Sequence, residues 1–312
     1  MPGASRARAT LKDVARASGV SPATVSFVLN ETPGQTISPE TQDKVRAAAR
    51  QLGYTPHRIA RALREGATRT VLLNVAGLPS GHSLESFVIG LDDELRSLDH
   101  TLLVTHRRDG AALPAEIVDA VSPRAVLDLG ALYYGGDDTG WEGGWSTGLA
   151  AHGLAQIRHL AAQGHREIAL ALPGVGVDAR FVQIRLEHAR EAAASSGLPA
   201  PAEVWLAGRA EAPGELAALR RHHPGVTAIA AFSDDIALVV LGSLADLGVR
   251  VPEDMAVIGF DEGRHGALWR PTLTTVRIDA EAHGRRAARA VLGREPHTEP
   301  PAPSVIVRRE SA

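Results

Sequence analysis

The 312-residue sequence contains no cysteine, which excludes disulfides and thiolate metal sites. No apolar run approaches the roughly 18 residues of a membrane span, so no membrane partner is expected. The first residues, "MPGASRARAT", are polar and basic without an apolar h-region. No secretory signal is expected from them, and the cytoplasm is the expected location. Thirteen histidines are scattered, with His222-His223 in a loop-like stretch, and none has the spacing of a metal site. Neither a metal nor a cofactor is expected. Aromatics are scarce at 4 %, but 44 % hydrophobic and 22 % charged residues are the composition of a globular chain. The length suffices for two or three domains.

The net charge of −3 hides an asymmetry. Met1–Arg69 carries 11 basic and 5 acidic residues, net +6, and the remainder 22 and 31, net −9. A basic head on an acidic body points to a polyanion partner for the head alone.

The head is written as short helices. Thr10 with Asp13 makes a capping-box start for "LKDVARAS", and Gly19 stops it. Ser21 caps the next helix and Pro22 suits its first position, where a missing N–H costs nothing. Two short helices joined by a Gly-containing turn are the helix-turn-helix pattern. "ISPETQDKVRAAARQLGY" repeats the grammar, with Ser38 as cap, Pro39 first and Gly53 as stop. Val14, Ala15, Val20, Val25, Val28, Val45 and Leu52 are the expected small core. In the Ser21–Asn30 segment, Val25, Val28 and Leu29 share one face, which leaves Pro22, Ala23, Ser26, Phe27 and Asn30 pointing elsewhere. In such a fold this helix can lie in the DNA major groove.

"TLKDVARASGVSPATVSFVLN…ISPETQDKVRAAARQLGYTPHRIARALREG", Thr10 to about Gly66, resembles the headpiece of the LacI/GalR family of bacterial transcription regulators. The resemblance implies that Pro22, Ala23 and Phe27 read bases. It implies that Ser21, Thr24, Ser26 and Asn30 anchor phosphates, with Thr10 and Tyr54 as further DNA contacts. Phe27 stands where the family often has arginine. It cannot grip guanine with two hydrogen bonds but can pack on a thymine methyl, unless it folds back onto the core. "PHRIARALREG" resembles the family's hinge helix. There His57 and Arg58 contact DNA, Ala60 allows close approach, and Leu63 is the wedge that unstacks a central base step. The alternative is a basic linker helix with Leu63 packed on the body.

From Thr70 on, apolar strand-like runs alternate with helical ones. Strands are expected at 70–76, 100–106, 124–130, 167–173, 203–208, 227–232, 255–260 and 303–308. Helices include 84–98, 147–163, 180–196, 234–247 and 280–292. Alternation of this kind argues parallel sheet covered on both faces. From Gly153 onward the chain is similar to the family's two-lobed, periplasmic-binding-protein-like body. The expected fold is therefore an all-α helix-turn-helix headpiece plus an α/β body of two doubly wound, parallel-sheet lobes. The expected domains are 1–56, a hinge and linker at 57–69, and the body at 70–312. Crossings between lobes are expected near Gly164, near Thr275 and before the last strand.

The resemblance places Arg185, Asp234 and Asp261 in an effector pocket between the lobes, with helix-capping or surface roles as the alternative for each. Alternating charged donors and acceptors suit a polyhydroxyl, sugar-like ligand. Several positions depart from the pattern. Leu78, Gly81 and His82 replace the usual residues after the first strand, and Ser233 replaces an asparagine. His188 replaces a glycine, and Ala230 lies where an aromatic often stacks on the ligand. The segment Leu129–Gly153 is shorter and Gly-rich. A non-sugar effector, a body answering to a protein partner, and a cleft without effector all stay open.

Two enzyme-like motifs are weaker readings. "GWSTG" around Ser146 fits a nucleophile elbow but lacks the buried strand that must precede it. "GVGVDA", from Gly174, fits a dinucleotide loop but lacks the acidic residue about 20 positions on. The expected protein is a homodimeric regulator, most simply a repressor, that binds double-stranded operator DNA and a small molecule and is not an enzyme. No leucine heptads follow Arg308, so no tetramer is expected.

Overall fold

The computed structural model describes the chain except for residues 1–8, 30–34, 55–67, 76–80, 107–112, 130–152, 178, 296–301 and 303. It divides into two units, Met1–Thr68 and Arg69–Ala312.

The first unit contains α1 (Leu11–Ser18), α2 (Pro22–Leu29) and α3 (Pro39–Gln51). Their ends are set locally. Thr10 and Asp13 form a reciprocal capping box on α1, and Gly19 closes it at φ +70°. The Ser21 hydroxyl accepts the Thr24 N–H at 3.1 Å at the start of α2. Ser38 accepts from Thr41 ahead of Pro39. The core is Val14, Ala15, Val25, Val28, Val45, Ala48, Ala49 and Tyr54, with Val20 and Leu29 packed against it. Leu52, expected inside, is exposed. It is the C-cap of α3. Gly53 then turns left-handed, and the Tyr54 N–H reaches back to the Ala49 carbonyl at 2.9 Å. This Schellman closure swings Tyr54, not Leu52, onto the core.

The second unit holds two parallel sheets. In the first, β1 (Thr70–Asn74) lies between β2 (Thr101–Thr105) and β3 (Ala125–Asp128), all parallel. The connections include α4 (His82–Ser97) and α5 (Ala115–Val121). Helix α6 (Gly153–Ala162) follows. The second sheet comprises β4 (Glu167–Pro173), β5 (Ala202–Leu206), β6 (Val226–Ala231) and β7 (Ala256–Ile258), in the order β5-β4-β6-β7. The connections are α7 (Ala179–Ser195), α8 (Ala212–His222) and α9 (Asp234–Asp246). The central strands β4 and β6 are almost wholly buried, as strands covered on both faces must be. After β7, the chain forms β8 (Thr275–Arg277), α10 (Ala280–Val291) and β9 (Val305–Val307), with β8 and β9 antiparallel.

Helix α10 comes from near the end of the chain yet packs on α4 of the first sheet. Phe87, Leu91 and Leu95 form the buried stripe of α4 at four-residue spacing. The chain end returns to the second sheet, where the Val257 N–H donates to the Ser311 carbonyl at 2.8 Å. Each lobe is thus built from two chain segments. One expectation shifts. Helix α6 already packs on α7 and β6, so the first passage between lobes precedes Gly153 and does not lie near Gly164. The short β8 and the helices α5 and α8 were not among the runs named from sequence. A three-residue strand and short helices carry too few periods to register.

Candidate functional site

The exposed face of α2 is the first candidate. Val25 and Val28 point into the core, whereas Pro22 and Ala23 are exposed and Thr24, Ser26 and Phe27 half-exposed. Phe27 is not among the described residues packed on the headpiece core. The first turn of α2 carries no acidic residue, so nothing on it offsets the positive pole of the helix, an anion-favouring end. Ser21 Oγ also pairs with Thr24 Oγ1 at 2.9 Å, and the Thr10 hydroxyl donates to Asp13 at 2.6 Å. Both hydroxyls are therefore held in fixed positions at helix starts. Tyr54 has its ring in the core, 9 % exposed, which gives it a packing role. Asn30, His57, Arg58, Ala60 and Leu63 lie outside the described residues.

The second candidate is a cleft of about 340 Å³ in the body. Gly81, His82 and Glu85 at the start of α4 line one side. Ser233, Asp234 and Asp235 at the start of α9, with Asp261, Gly263, Arg264 and His265 after β7, line the other. Strand β1 sits where the first sheet reverses its order, and β6 where the second does. The cleft therefore lies at the carboxyl ends of strands at both switch points, where ligands of doubly wound sheets bind.

Asp234 and Asp261 meet there. Asp234, 4 % exposed, accepts the Thr275 hydroxyl at 2.5 Å and the Gly263 N–H at 2.6 Å. Burial pushes its carboxyl up to about 6, against the pull of those two hydrogen bonds, and the neighbouring Asp261 adds to the rise. Asp261 reaches from the second lobe to the first, accepting the Ser83 N–H at 2.8 Å. Gly81, the N-cap of α4, has no side chain to offer, so a carboxylate 178 residues away caps the helix. Burial raises Asp261 as well, opposed by its hydrogen bonds to Ser83 and by His82. Its φ of +115° is one that a non-glycine residue adopts only under constraint. A Cβ on Gly81 would collide with the Asp261 carboxylate, and one on Gly259 with that of Asp234. Two glycines thus make room for two aspartates. Arg264 and Glu85 form a further ion pair across the cleft at 3.7 Å.

Arg185 is not among the residues lining this cleft. It is 5 % exposed, with its guanidinium 3.9 Å from the Phe260 ring centroid and 5.3 Å from that of Phe232. It donates to Gln156 Oε1 and to the Phe232 carbonyl, both at 3.3 Å. Gln156 in turn donates to the carbonyls of Ala231 (2.8 Å) and Gly259 (2.9 Å) at the ends of β6 and β7. The pair braces the floor behind the cleft. Ser233 caps α9, and Ala230 is fully buried. Sequence reasoning did not single out Glu85, Arg264, Thr275 or Gln156. The acidic first turn of α4 was a usable signal for Glu85; Gln156, inside an apolar run, gave none. Gly174 turns tightly against the backbone of Ala207, and Ser146 lies outside the described residues. Among the described residues no helix is long and apolar enough to cross a membrane, and no group of three ligating side chains could hold a metal.

The Asp234 carboxyl sets a pH dependence. A carboxylic acid ordinarily titrates near 3.8 and here near 6, so the native state holds this proton more tightly than the unfolded chain. Stability from this group is fully present below pH 4 and is lost as pH rises through 6, a change of at most about 3 kcal/mol. Carbon-13 titration of the Asp234 carboxyl should give a midpoint near 6, and Thr275→Val should move it higher. A wild-type midpoint at or below the ordinary value would refute the assignment.

The profile of "Bacterial regulatory proteins, lacI family" matches residues 10–57, and that of "Periplasmic binding protein-like domain" residues 157–311. The HTH-type transcriptional repressor PurR of Vibrio cholerae is 31 % identical, over 92 % of this chain and 91 % of that protein. The PurR repressor of Haemophilus influenzae is 27 % identical, over 93 % and 92 %. Among solved structures, the lac repressor dimer bound to operator and the anti-inducer ONPF superposes with a TM-score of 0.74. That match has 20 % identity and covers 98 % of this chain and 99 % of that one. The CelR–cellobiose complex superposes at 0.56, with 23 % identity over 98 % and 100 %.

Proposed function

The chain belongs to the LacI family of bacterial regulatory proteins, and from that membership we propose a repressor that binds a near-palindromic operator as a homodimer and answers to a small molecule in the body cleft. It is a DNA-binding transcription regulator and not an enzyme, as its relatives are repressors. The observation that carries the operator reading is the outward face of α2, with Pro22 and Ala23 exposed beside a helix start free of acidic residues.

In this reading α2 lies in the major groove. Pro22, Ala23 and Phe27 contact base edges, and Ser21, Thr24, Ser26 and Asn30 contact phosphates. With so few polar readers, sequence is sensed through thymine methyls and DNA shape. The hinge, 57–69, completes recognition, with Leu63 as a minor-groove wedge and Arg58 supplying charge. The body, 70–312, dimerises and places two headpieces on two half-sites. Its exposed Leu268 and Trp269 are apolar surface suited to a second copy. Closure of the cleft alters the spacing of the two hinges. A coupling of about 1–3 kcal/mol is enough for a useful switch. The site of action is the cytoplasm, where an operator is found.

A second reading, a body without small-molecule response, draws on one fact: Asp234 and Asp261 are already hydrogen-bonded within the protein. The test of the operator reading is selection of bound duplexes from a random pool by the full chain. Two inverted half-sites should be enriched. Binding should fall by about 10³–10⁵ between about 50 and 200 mM salt if six to ten phosphates are contacted. No enrichment, or a flat salt response, would sink it.

A further inference from the structure

We propose that the body cleft takes a small hydrophilic cation, an amine whose ammonium group sits among the carboxylates of Glu85, Asp234, Asp235 and Asp261. This rests on the reading of the cleft as a ligand site and adds the chemical class. Among the described residues, all ten that line the cleft are polar or glycine, and their four carboxylates are accompanied by one lining guanidinium, that of Arg264. That guanidinium does little to neutralise them. Its side chain is 84 % exposed, and it stands 3.7 Å from a Glu85 that is itself 63 % exposed, a geometry in which water screens most of the attraction.

The positive poles of α4 and α9 also point at the cleft. At about half a charge each they offset roughly one carboxylate. Among the described lining residues, one guanidinium and two helix poles do not balance four carboxylates. Burial is the main reason that Asp234 holds its proton, and the Asp261 carboxylate beside it adds to the rise. A carboxylate or phosphate ligand would add to this repulsion. A neutral polyol could hydrogen-bond but would leave the repulsion in place. An ammonium group removes it and donates to oxygens that accept only.

The same balance fixes the pH response. Asp234 is faced by Asp261 and, more distantly, by Arg309, and Asp261 by His82. Glu85 and Asp235 complete the acids, with His265 beside Arg264. Lowering the pH protonates the buried carboxyls, whose titration burial has shifted upward, and the loss of that negative charge opposes a cation. Amine affinity therefore rises with pH, and binding releases protons where the buried carboxyls titrate.

The probes are 1,4-diaminobutane, 1,4-butanediol and succinate, which share a four-carbon span and differ in charge. Each is titrated calorimetrically into the full chain, at about pH 5.5 and about pH 7.5 and in buffers of different ionisation enthalpy. The diamine should bind at least about tenfold more tightly than either other probe, weaken several-fold at the lower pH, and release protons. Glu85→Gln and Asp235→Asn, both at exposed first-turn positions, should each weaken the diamine without lowering the melting temperature. Binding of succinate or the diol at equal or greater strength, binding of no probe at millimolar concentration, or diamine binding indifferent to both variants overturns the proposal. A diamine that binds in the cleft yet leaves operator affinity unchanged would remove the regulatory reading and keep this one. Operator release by a neutral or anionic ligand seated in the cleft would do the reverse.

Discussion

A chain that begins at Arg69 is expected to lose specific operator binding by about 10³-fold or more while its body keeps a cooperative melting transition. The magnitude follows from the gap between specific and non-specific affinity in such proteins. The direction follows from charge. Residues up to Arg69 carry net +6, and those after it net −9, so the body alone repels a polyanion. Folding of the remnant follows from the contact pattern, in which Arg69–Ala312 is a self-contained unit and the headpiece core, among the described residues, draws on none beyond Tyr54. Fluorescence anisotropy on the selected operator, beside circular dichroism of the truncated chain, checks both halves. Retained affinity within tenfold would mean that the body itself holds DNA. A molten remnant would mean that the two units do not fold independently.

What was legible in the sequence was what is local. Caps are written within four residues, so Thr10, Ser21, Ser38, Gly19 and Gly53 announce themselves before any packing is known. Buried parallel strands are short apolar runs, and β4 and β6 stand where those runs are. The two aspartates of the cleft were legible through the family resemblance; Asp234 opens α9 and Asp261 follows β7. Their partners were not. Asp261 caps a helix 178 residues earlier, and Thr275 meets Asp234 across 41 residues. Periodicity carries no information about which strand end will face which helix start. Arg185 shows a different limit. The motif locates the residue, but whether its guanidinium faces the cleft or stacks on Phe260 is decided by rings brought in from elsewhere. Leu52 and Tyr54 exchanged places for a geometric reason, since the Gly53 turn reverses which neighbour faces inward.

Gly284→Ala should destabilise the body by about 3 kcal/mol, the upper end of the range for overpacking a close-packed site. At this size of unit that is a fall in Tm of roughly 6–12 °C. Helices α4 and α10 cross on glycines. A Cβ on Gly284 would fall well inside contact distance of the Phe87 carbonyl, and one on Gly90 would do the same to that of Glu281. Backbone cannot rotate away as a side chain can, so the helices must separate. Gly214→Ala in α8 is the control, because a Cβ there meets nothing within 4 Å. An exposed helical glycine replaced by alanine should stabilise by about 0.5–1 kcal/mol. Calorimetric melting of both variants reads the difference directly. Equal melting temperatures would mean that α4 and α10 are not in glycine-to-backbone contact. The consequence reaches the cleft, because α4 begins at His82 and carries Ser83 and Glu85 on its first turn. A helix displaced by the added methyl pulls the Ser83 N–H away from Asp261, so Gly284→Ala should also weaken ligand binding although residue 284 lines no part of the cleft. Gly214→Ala should leave binding as it is.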